Sequence, residues 1–436
     1  MPILGNNASI VDGVFGDDWF GLQADFNASG SSATTTLASQ ATAGDTVLQL
    51  AVGGGAIYAD GKNIVGQGIC IVGASPNLDK ITTVLSSSGD TITIASGITT
   101  TVPAGTVVMH DDGLAVQNAL SSATASNIYT ELGTYNVAKR RLDFTKARKF
   151  FGNPMCTNNN IQYPAVPYTN YEKTTATFVS RDATKDFFYI GSSLCTLMGI
   201  AIVQDPAIER TDGNFVRVGP SSDSFPFFEG WVSPGQVEGM RNAVDFVTVK
   251  NVSMLDPWIA IRMGHAWNVK VDDCVGYQFR KWGIYVSMKL PYGGSHFNRN
   301  FMGGLAVGAN DLGANVGAAY YIDKSDLNHW NDNHSFVSLH GMELGATDII
   351  AGQVVTNQVH DDVRGGYGIY IHNNGLDVND NNHFVAVLVN THKALAPLYV
   401  GAGCDNLAFV SVRGSSSGPQ PGIIDNAIGT TLIGCK

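Results

Sequence analysis

Charge is scarce in this chain: 26 Lys and Arg and 37 Asp and Glu account for 14% of 436 residues. The net charge of -11, with no basic run, lacks the electrostatic footprint that binding to nucleic acid requires. Cysteine is sparse as well. Cys70, Cys156, Cys195, Cys274, Cys404 and Cys435 are scattered, without the CxxC or Cys/His spacings of a zinc site. They read as buried thiols rather than a disulfide framework, and nothing in the pattern calls for a metal or another cofactor. No apolar run reaches the roughly 18 residues of a membrane span. The opening "MPILGNNASIVDG" has neither the basic nor the apolar region of a secretion signal. The expectation is a soluble protein made in a cytoplasm without a signal peptide, with no membrane and no nucleic-acid partner.

Glycine is plentiful, at 50 residues, and with few charges it indicates a turn-rich, tightly packed β protein. One stretch stands apart: "HDDGLAVQNALSSATASNIYTELGTYNV", His110 to Val137. Val116, Ala119, Leu120 and Ala123 fall at i, i+3, i+4 and i+7, the stripe of an amphipathic helix. Asp111 and Asp112 are placed to cap its N-terminus. "DDWFGLQADF" (from Asp17) aligns with "DDGLAVQNAL" (from Asp111) without a gap, as a partial copy of the same element. Between the two, "AGDTVLQLA", "GQGICIVGA" and "SSSGDTITIAS" alternate apolar residues with Thr and Ser around Gly-Asp turns, which predicts a small antiparallel module.

From Ile128 onward the chain is quasi-repetitive. One family of runs reads "DFVTVKNVSM" (from Asp245), "WNVKVDDCVG" (from Trp267), "HSFVSLHGME" (from His334), "NHFVAVLVNT" (from Asn382) and "DNLAFVSVRG" (from Asp405). A second alternates with it: "WIAIRMG" (from Trp258), "WGIYVSM" (from Trp282), "AAYYIDK" (from Ala318), "YGIYIHN" (from Tyr367) and "PLYVGAG" (from Pro397). Neighbouring members often lie about 22–25 residues apart, a solenoid period. Fixed order and scarce Asn-Gly hairpin turns favour coils over an antiparallel sandwich. The predicted fold is all-β: a right-handed parallel β-helix over 110–436 with an N-terminal capping helix, a small β module over 32–109, and an N-terminal segment over 1–31. A helix laid over the first coil would shield an apolar cross-section and open strand edges.

"DDGLAVQNALSSA", "IYTELGTYNV" and "LDFTKARKFFGN" resemble the opening segment of the pectate-lyase-like superfamily, whose helix reads Asp-Asp-x-x-Ala-[Ile/Val]-Gln-x-Ala-Leu. That superfamily contains polysaccharide lyases, glycoside hydrolases and bacteriophage tailspikes. The "AGDTVLQLA…GQGICI" module resembles inserts of phage tail proteins. The resemblance implies a homotrimeric tailspike-type depolymerase on the virion tail. It would be attached through its N-terminal region, or act as a free enzyme, and would work outside the cell on a bacterial surface polysaccharide.

Phe225 to Arg364 contains Trp231, Trp258, Trp267, Trp282 and Trp330, the aromatic supply of a sugar groove or, equally, of a packed core. Glycoside hydrolysis needs two carboxylates about 5–5.5 Å apart for retention or 6.5–9.5 Å for inversion, and strands about 4.8 Å apart offer both. "YYIDKSDLNHWNDNH" and "LHGMELGATD" nominate Asp323 or Asp326 with Glu343 as the acid/base pair. His329, Trp330, Trp258, Trp267, Trp282 and Arg364 are the candidate substrate contacts, and Asp361 or Asp362 beside Arg364 is a second carboxylate candidate or a salt-bridged turn. The "VDDC" at Val271–Cys274 only superficially matches a polygalacturonase pattern, because its companion motifs are missing. Two other readings stand beside hydrolysis. One is a lyase that uses Arg280, Lys281, His296 and Arg299 to neutralise a uronate; the other is a non-catalytic glycan-binding adhesin or tail component.

Overall fold

The computed structural model describes residues 8–9, 19–22, 34–58, 67–76, 78–123, 126–130, 132–152, 176–220, 244–287, 294–307, 311–313, 316–323, 325, 327–346, 352–372, 382–393, 395–416, 423–427 and 429–435. The chain forms two compact units, Met1–Lys185 with Gly199–Glu209, and Asp186–Met198 with Arg210–Lys436.

In the first unit, Thr34–Thr36, Val47–Gln49, Gly68–Ser75, Leu78–Ser88, Thr91–Ile94 and Val107–His110 pair antiparallel around a core that includes Leu48, Tyr58, Ile69, Ile71, Val84, Ile92 and Val108. The single α-helix among the described residues, α1 (Gly113–Ser121), buries Ala115, Val116, Ala119 and Leu120. It lies against Gly133–Ala138 and Leu142–Phe144.

The aspartates that precede α1 do other work than the expected capping. Asp112 occupies the N-cap position without a side-chain cap bond; its carboxylate accepts the Asn136 N–H at 2.6 Å. Asp111 accepts from Gly113 N and Ala138 N and pairs with Arg140. Both side chains are fully buried, and burial pushes the Asp111 carboxyl up. They therefore bolt the helix to the adjacent strand. The other end is capped from outside: Arg148 donates to the carbonyls of Leu120 and Ser122, where a cation favours the negative end of the helix dipole.

Parallel pairing dominates the strands after the helix. Gly133–Ala138, Ala176–Arg181 and Ile200–Gln204 stack in register in the first unit. In the second unit each coil contributes to three parallel sheets. The first sheet runs from Thr196–Met198 through Lys270–Asp272, His296–Asn298 and His329–Asn331 to Thr431–Ile433. The second runs from Ser253–Leu255 through Phe301–Gly304, His334–Ser338 and Val359–Arg364 to Arg413–Ser416. The third includes Asn214–Val218, Ile259–Met263, Trp282–Ser287, Ala318–Asp323, His340–Ala346, Tyr367–Ile371 and Ala396–Val400. This is the expected right-handed parallel β-helix; parallel crossovers are right-handed because twisted strands pack back that way.

The sequence reading joined the first two sheets into a single run. They are separated by one left-handed residue per coil: Asn251, Asp273, Arg299, Asp332, Asn357, Ala386 and Ser411 all have φ of 51–57°. A non-glycine residue there costs on the order of 1–2 kcal/mol. Each amide in this column is tied to the next coil, as in Asp273 N to Asn298 O at 3.0 Å and Arg299 N to Asn331 O at 3.0 Å. Inside the same corner, Asn333 Oδ1 accepts both the backbone and side-chain N–H of Asn300, and Asn333 Nδ2 donates to Phe297 O. Buried polar groups are thus satisfied by neighbours one coil away.

The interior is a set of apolar ladders. Val216, Ile261, Ile284, Tyr320, Met342, Ile369 and Leu398 form one column, all fully buried. Cys70, Cys195, Cys274 and Cys404 are buried, Cys435 is half-buried, and Cys156 lies outside the described residues. Among the described residues no helix is long and apolar enough to cross a membrane.

Candidate active-site furrow on the third sheet

The outward side chains of the third sheet form a ladder set by strand register: Arg217, Arg262, Tyr285, Tyr321, Glu343, Tyr370 and Tyr399 occupy successive rungs. Alternation sends these outward because their neighbours in sequence, such as Ile284 and Val286, fill the core. Backbone constraints add a second outward row. Gly341 has no room for a side chain, since a Cβ would sit 2.5 Å from the His360 ring inside. Its neighbour His340 instead stacks on Tyr370 at 4.7 Å and on Tyr367 at 5.8 Å.

Aromatic faces line both ends. Trp282 lies 4.4 Å from Tyr285 and 5.1 Å from Tyr321, and Tyr285 and Tyr321 stack at 5.1 Å with 6° between their planes. Further along, Tyr367, Tyr370 and Tyr399 are mutually within 4.7–5.3 Å. The phenols of Tyr321, Tyr367 and Tyr370 stay protonated. Burial, then Asp323 and Glu343, push the Tyr321 hydroxyl far up, and burial and Glu343 do the same in lesser degree to Tyr370. These hydroxyls are donors rather than charges.

Asp323 and Glu343 stand between the two aromatic groups. Glu343 faces Tyr321 across the strand pair, and Asp323 lies two residues beyond Tyr321 on the same face. A register shift after Ile322 pairs Asp323 with Ala346, and both carboxylates act on the Tyr321 hydroxyl, so the two acids share its surroundings. The Glu343 Oε1 is 3.1 Å from His372 Nε2 on the next coil. Nearby, His340 Nδ1 accepts the Tyr367 N–H at 3.0 Å, and burial holds its pKa below the ordinary value, so the ring is neutral.

The other nominated residues scatter. Asp326 lies outside the described residues. Trp330 is a correction: it is fully buried, stacked on Phe297 at 3.9 Å, and donates Nε1–H to Gln353. It is core because the middle residue of each three-residue first-sheet strand points inward. Its neighbour His329 is exposed on the first sheet, stacked on His296 at 5.0 Å, and so shares no face with Glu343. Trp267 belongs to a small side pair, Ala266–Trp267 with Val244–Asp245. Trp258 just precedes a third-sheet strand, with Lys281 Nζ 5.9 Å above its ring. Arg364 forms a two-pronged pair with Asp362, the salt-bridged turn, while Asp361 faces His334 at 2.9 Å on the second sheet. Of the proposed lyase cations, Arg280 is committed to Asp256 and Arg299 to Asp273.

Of the nominated set, Asp323, Glu343 and Trp282 are brought together, while Tyr285, Tyr321, Tyr367, Tyr370, Tyr399, Arg262, His340 and His372 were not foreseen. Their signal was present. Aligned on their apolar positions, the second-family runs place Arg262, Tyr285, Tyr321, Tyr370 and Tyr399 in one column.

No protein-family model matches the chain, and no curated protein matches it. Solved structures similar in chain path include the A-module of mannuronan C-5 epimerase AlgE6 from Azotobacter vinelandii, at 13% identity over 74% of this chain and 94% of that one, with a TM-score of 0.43. The catalytic domain of a GH87 α-1,3-glucanase matches at 10% identity over 92% and 90%, TM-score 0.43. The Streptococcus pneumoniae surface protein and adhesin PfbA matches at 12% over 75% and 93%, TM-score 0.46.

Proposed function

We propose that this chain is a polysaccharide depolymerase that lays a glycan along the outer face of the third sheet and cleaves it by glycoside hydrolysis. The observation that carries this reading is a pair of carboxylates, Asp323 and Glu343, on adjacent coils between two groups of aromatic rings. Sugar rings have apolar faces that stack on aromatics, and the tyrosine hydroxyls donate to sugar oxygens.

Glu343, within hydrogen-bond distance of His372, serves as base or nucleophile. Asp323 serves as the proton donor to the leaving oxygen. Elimination is the weaker reading. It requires a cation at the carboxylate of the reacting sugar, whereas Arg280 and Arg299 are each paired and Arg262 lies three rungs from Glu343.

The finer setting belongs to the same proposal: a bacteriophage tailspike-type homotrimer, attached to the virion through its N-terminal region and acting on bacterial surface polysaccharide. It is supported by the sequence resemblance of the helix segment and the module before it. The test is incubation with bacterial capsular, exo- and O-antigen polysaccharides. New reducing ends without the ultraviolet absorbance of an unsaturated uronate are expected. That absorbance would establish the lyase reading instead, and retention without product would reduce the protein to a binder. Sedimentation velocity is expected to give a trimeric mass, and a monomer would remove the tailspike setting.

A further inference from the structure

The outer face of the third sheet is electrically lopsided. Arg262 carries its guanidinium 5.2 Å over the Tyr285 ring, and Lys281 carries its ammonium 4.4 Å over Trp282 and 5.9 Å over Trp258. Neither makes an ion pair among the described residues, although the chain readily pairs its cations elsewhere. Arg217 meets Asp186 at 3.0 Å, Arg280 meets Asp256 at 2.7 Å and Arg299 meets Asp273 at 2.6 Å. Both unpaired cations are half-buried against aromatic faces, so their charge is directed rather than dispersed into solvent. The opposite end, around Tyr367, Tyr370 and Tyr399, presents aromatic rings and hydroxyls.

Resting on the depolymerase reading above, we infer that the substrate is an anionic polysaccharide. Its carboxylate-bearing sugar docks on Arg262 and Lys281, while uncharged sugars occupy the tyrosine end. Distances along the ladder say where that charge sits relative to cleavage. Trp282–Ser287 is two strands from His340–Ala346 and Ile259–Met263 is three, so at about 4.8 Å per strand the cations stand about 10–14 Å from Glu343. A carboxylate beside Asp323 and Glu343 would be repelled, and the same group two or three rungs away is attracted. This face therefore selects a repeating unit with its acidic sugar displaced from the scissile bond.

The test uses the full chain and the double variant R262A/K281A, titrated with sodium glucuronate, sodium galacturonate and N-acetylneuraminate, with methyl glucoside as the uncharged control. Binding is followed by tryptophan fluorescence, for which Trp282 is a reporter inside the site. The expected result is saturable binding of at least one acidic sugar. That binding should weaken at least ten-fold in the double variant and also weaken in high salt, with methyl glucoside unaffected by the substitutions. Equal response to charged and uncharged sugars, an unchanged double variant, or no saturable response to any acid would overturn the inference. Reducing-end release on the polysaccharide panel, run on the same preparations, separates the two claims. Turnover with a negative titration removes only the charge preference; no turnover and no sugar retention remove the depolymerase reading itself.

Discussion

The first and third sheets are built from the same coils, yet their outer faces have opposite characters. On the first sheet the outward side chains satisfy one another: Asn298 donates to Asp272 at 2.7 Å, Thr356 donates to Asn331 at 2.7 Å, and His296 stacks on His329. Its strands are three residues long and end at left-handed corners, so few side chains face outward on each coil. The third-sheet strands from Asn214–Val218 to Ala396–Val400 are five to seven residues long, and on them carboxylates, cations and phenols remain directed outward. A solenoid repeats its backbone, so chemistry is located where the outward side chains have not been spent on each other.

That contrast can be broken from several directions. The largest effect is expected from the core shared by both faces: Trp330→Ala removes a ring stacked on Phe297 and leaves Gln353 Oε1 without its donor. A loss of about 3–5 kcal/mol in unfolding free energy is expected from denaturant titration. Next, Glu343→Gln and Asp323→Asn are each expected to cut turnover at least ~100-fold with unfolding midpoints little changed, the range of general acid–base catalysis. If turnover were retained in both, the site would not lie on this sheet.

Acid provides a third probe. Burial pulls the His360 pKa down to about 3 from an ordinary 6.5, and His265 and His340 move in the same direction. Below 6.5 the unfolded chain takes up protons that the folded chain refuses, so stability falls as pH drops from 6.5 toward 3. His360 alone is expected to cost about 2 kcal/mol between pH 7 and pH 5, and His360→Gln should flatten that slope in urea unfolding. The smallest effect sharpens the comparison. His329→Ala, on the self-satisfied face, should alter stability by under ~0.5 kcal/mol and leave turnover unchanged. A large loss of activity would place substrate on the first sheet.

Much of the fold was legible because it is written in local pattern. Alternating Thr/Ser and apolar residues announced the antiparallel strands of the first unit, and the stripe of Val116, Ala119 and Leu120 announced α1. Repetition of the "WGIYVSM" type announced the third sheet. The corners at Arg299 and Ala386 were not legible, because neither residue type favours positive φ; hydrogen bonding to the next coil holds them there. Asp323 and Glu343 were nominated because they accompany the ends of successive strands, and strand register sets both around Tyr321. Trp330 was misread because a tryptophan among polar residues looks like a surface residue until strand register sends it inward.

The sequence by itself therefore determined the repeat, the apolar columns and the kinds of chemical groups available, since these follow from the period of side chains along one strand. Which face each group joins, and which partners neutralise it, was decided only by the winding of the coils. Tyr321 meets Glu343, and Arg262 has no acidic partner among the described residues, because residues one turn apart become neighbours across a single hydrogen-bonded strand spacing. No local property of either residue carries that information.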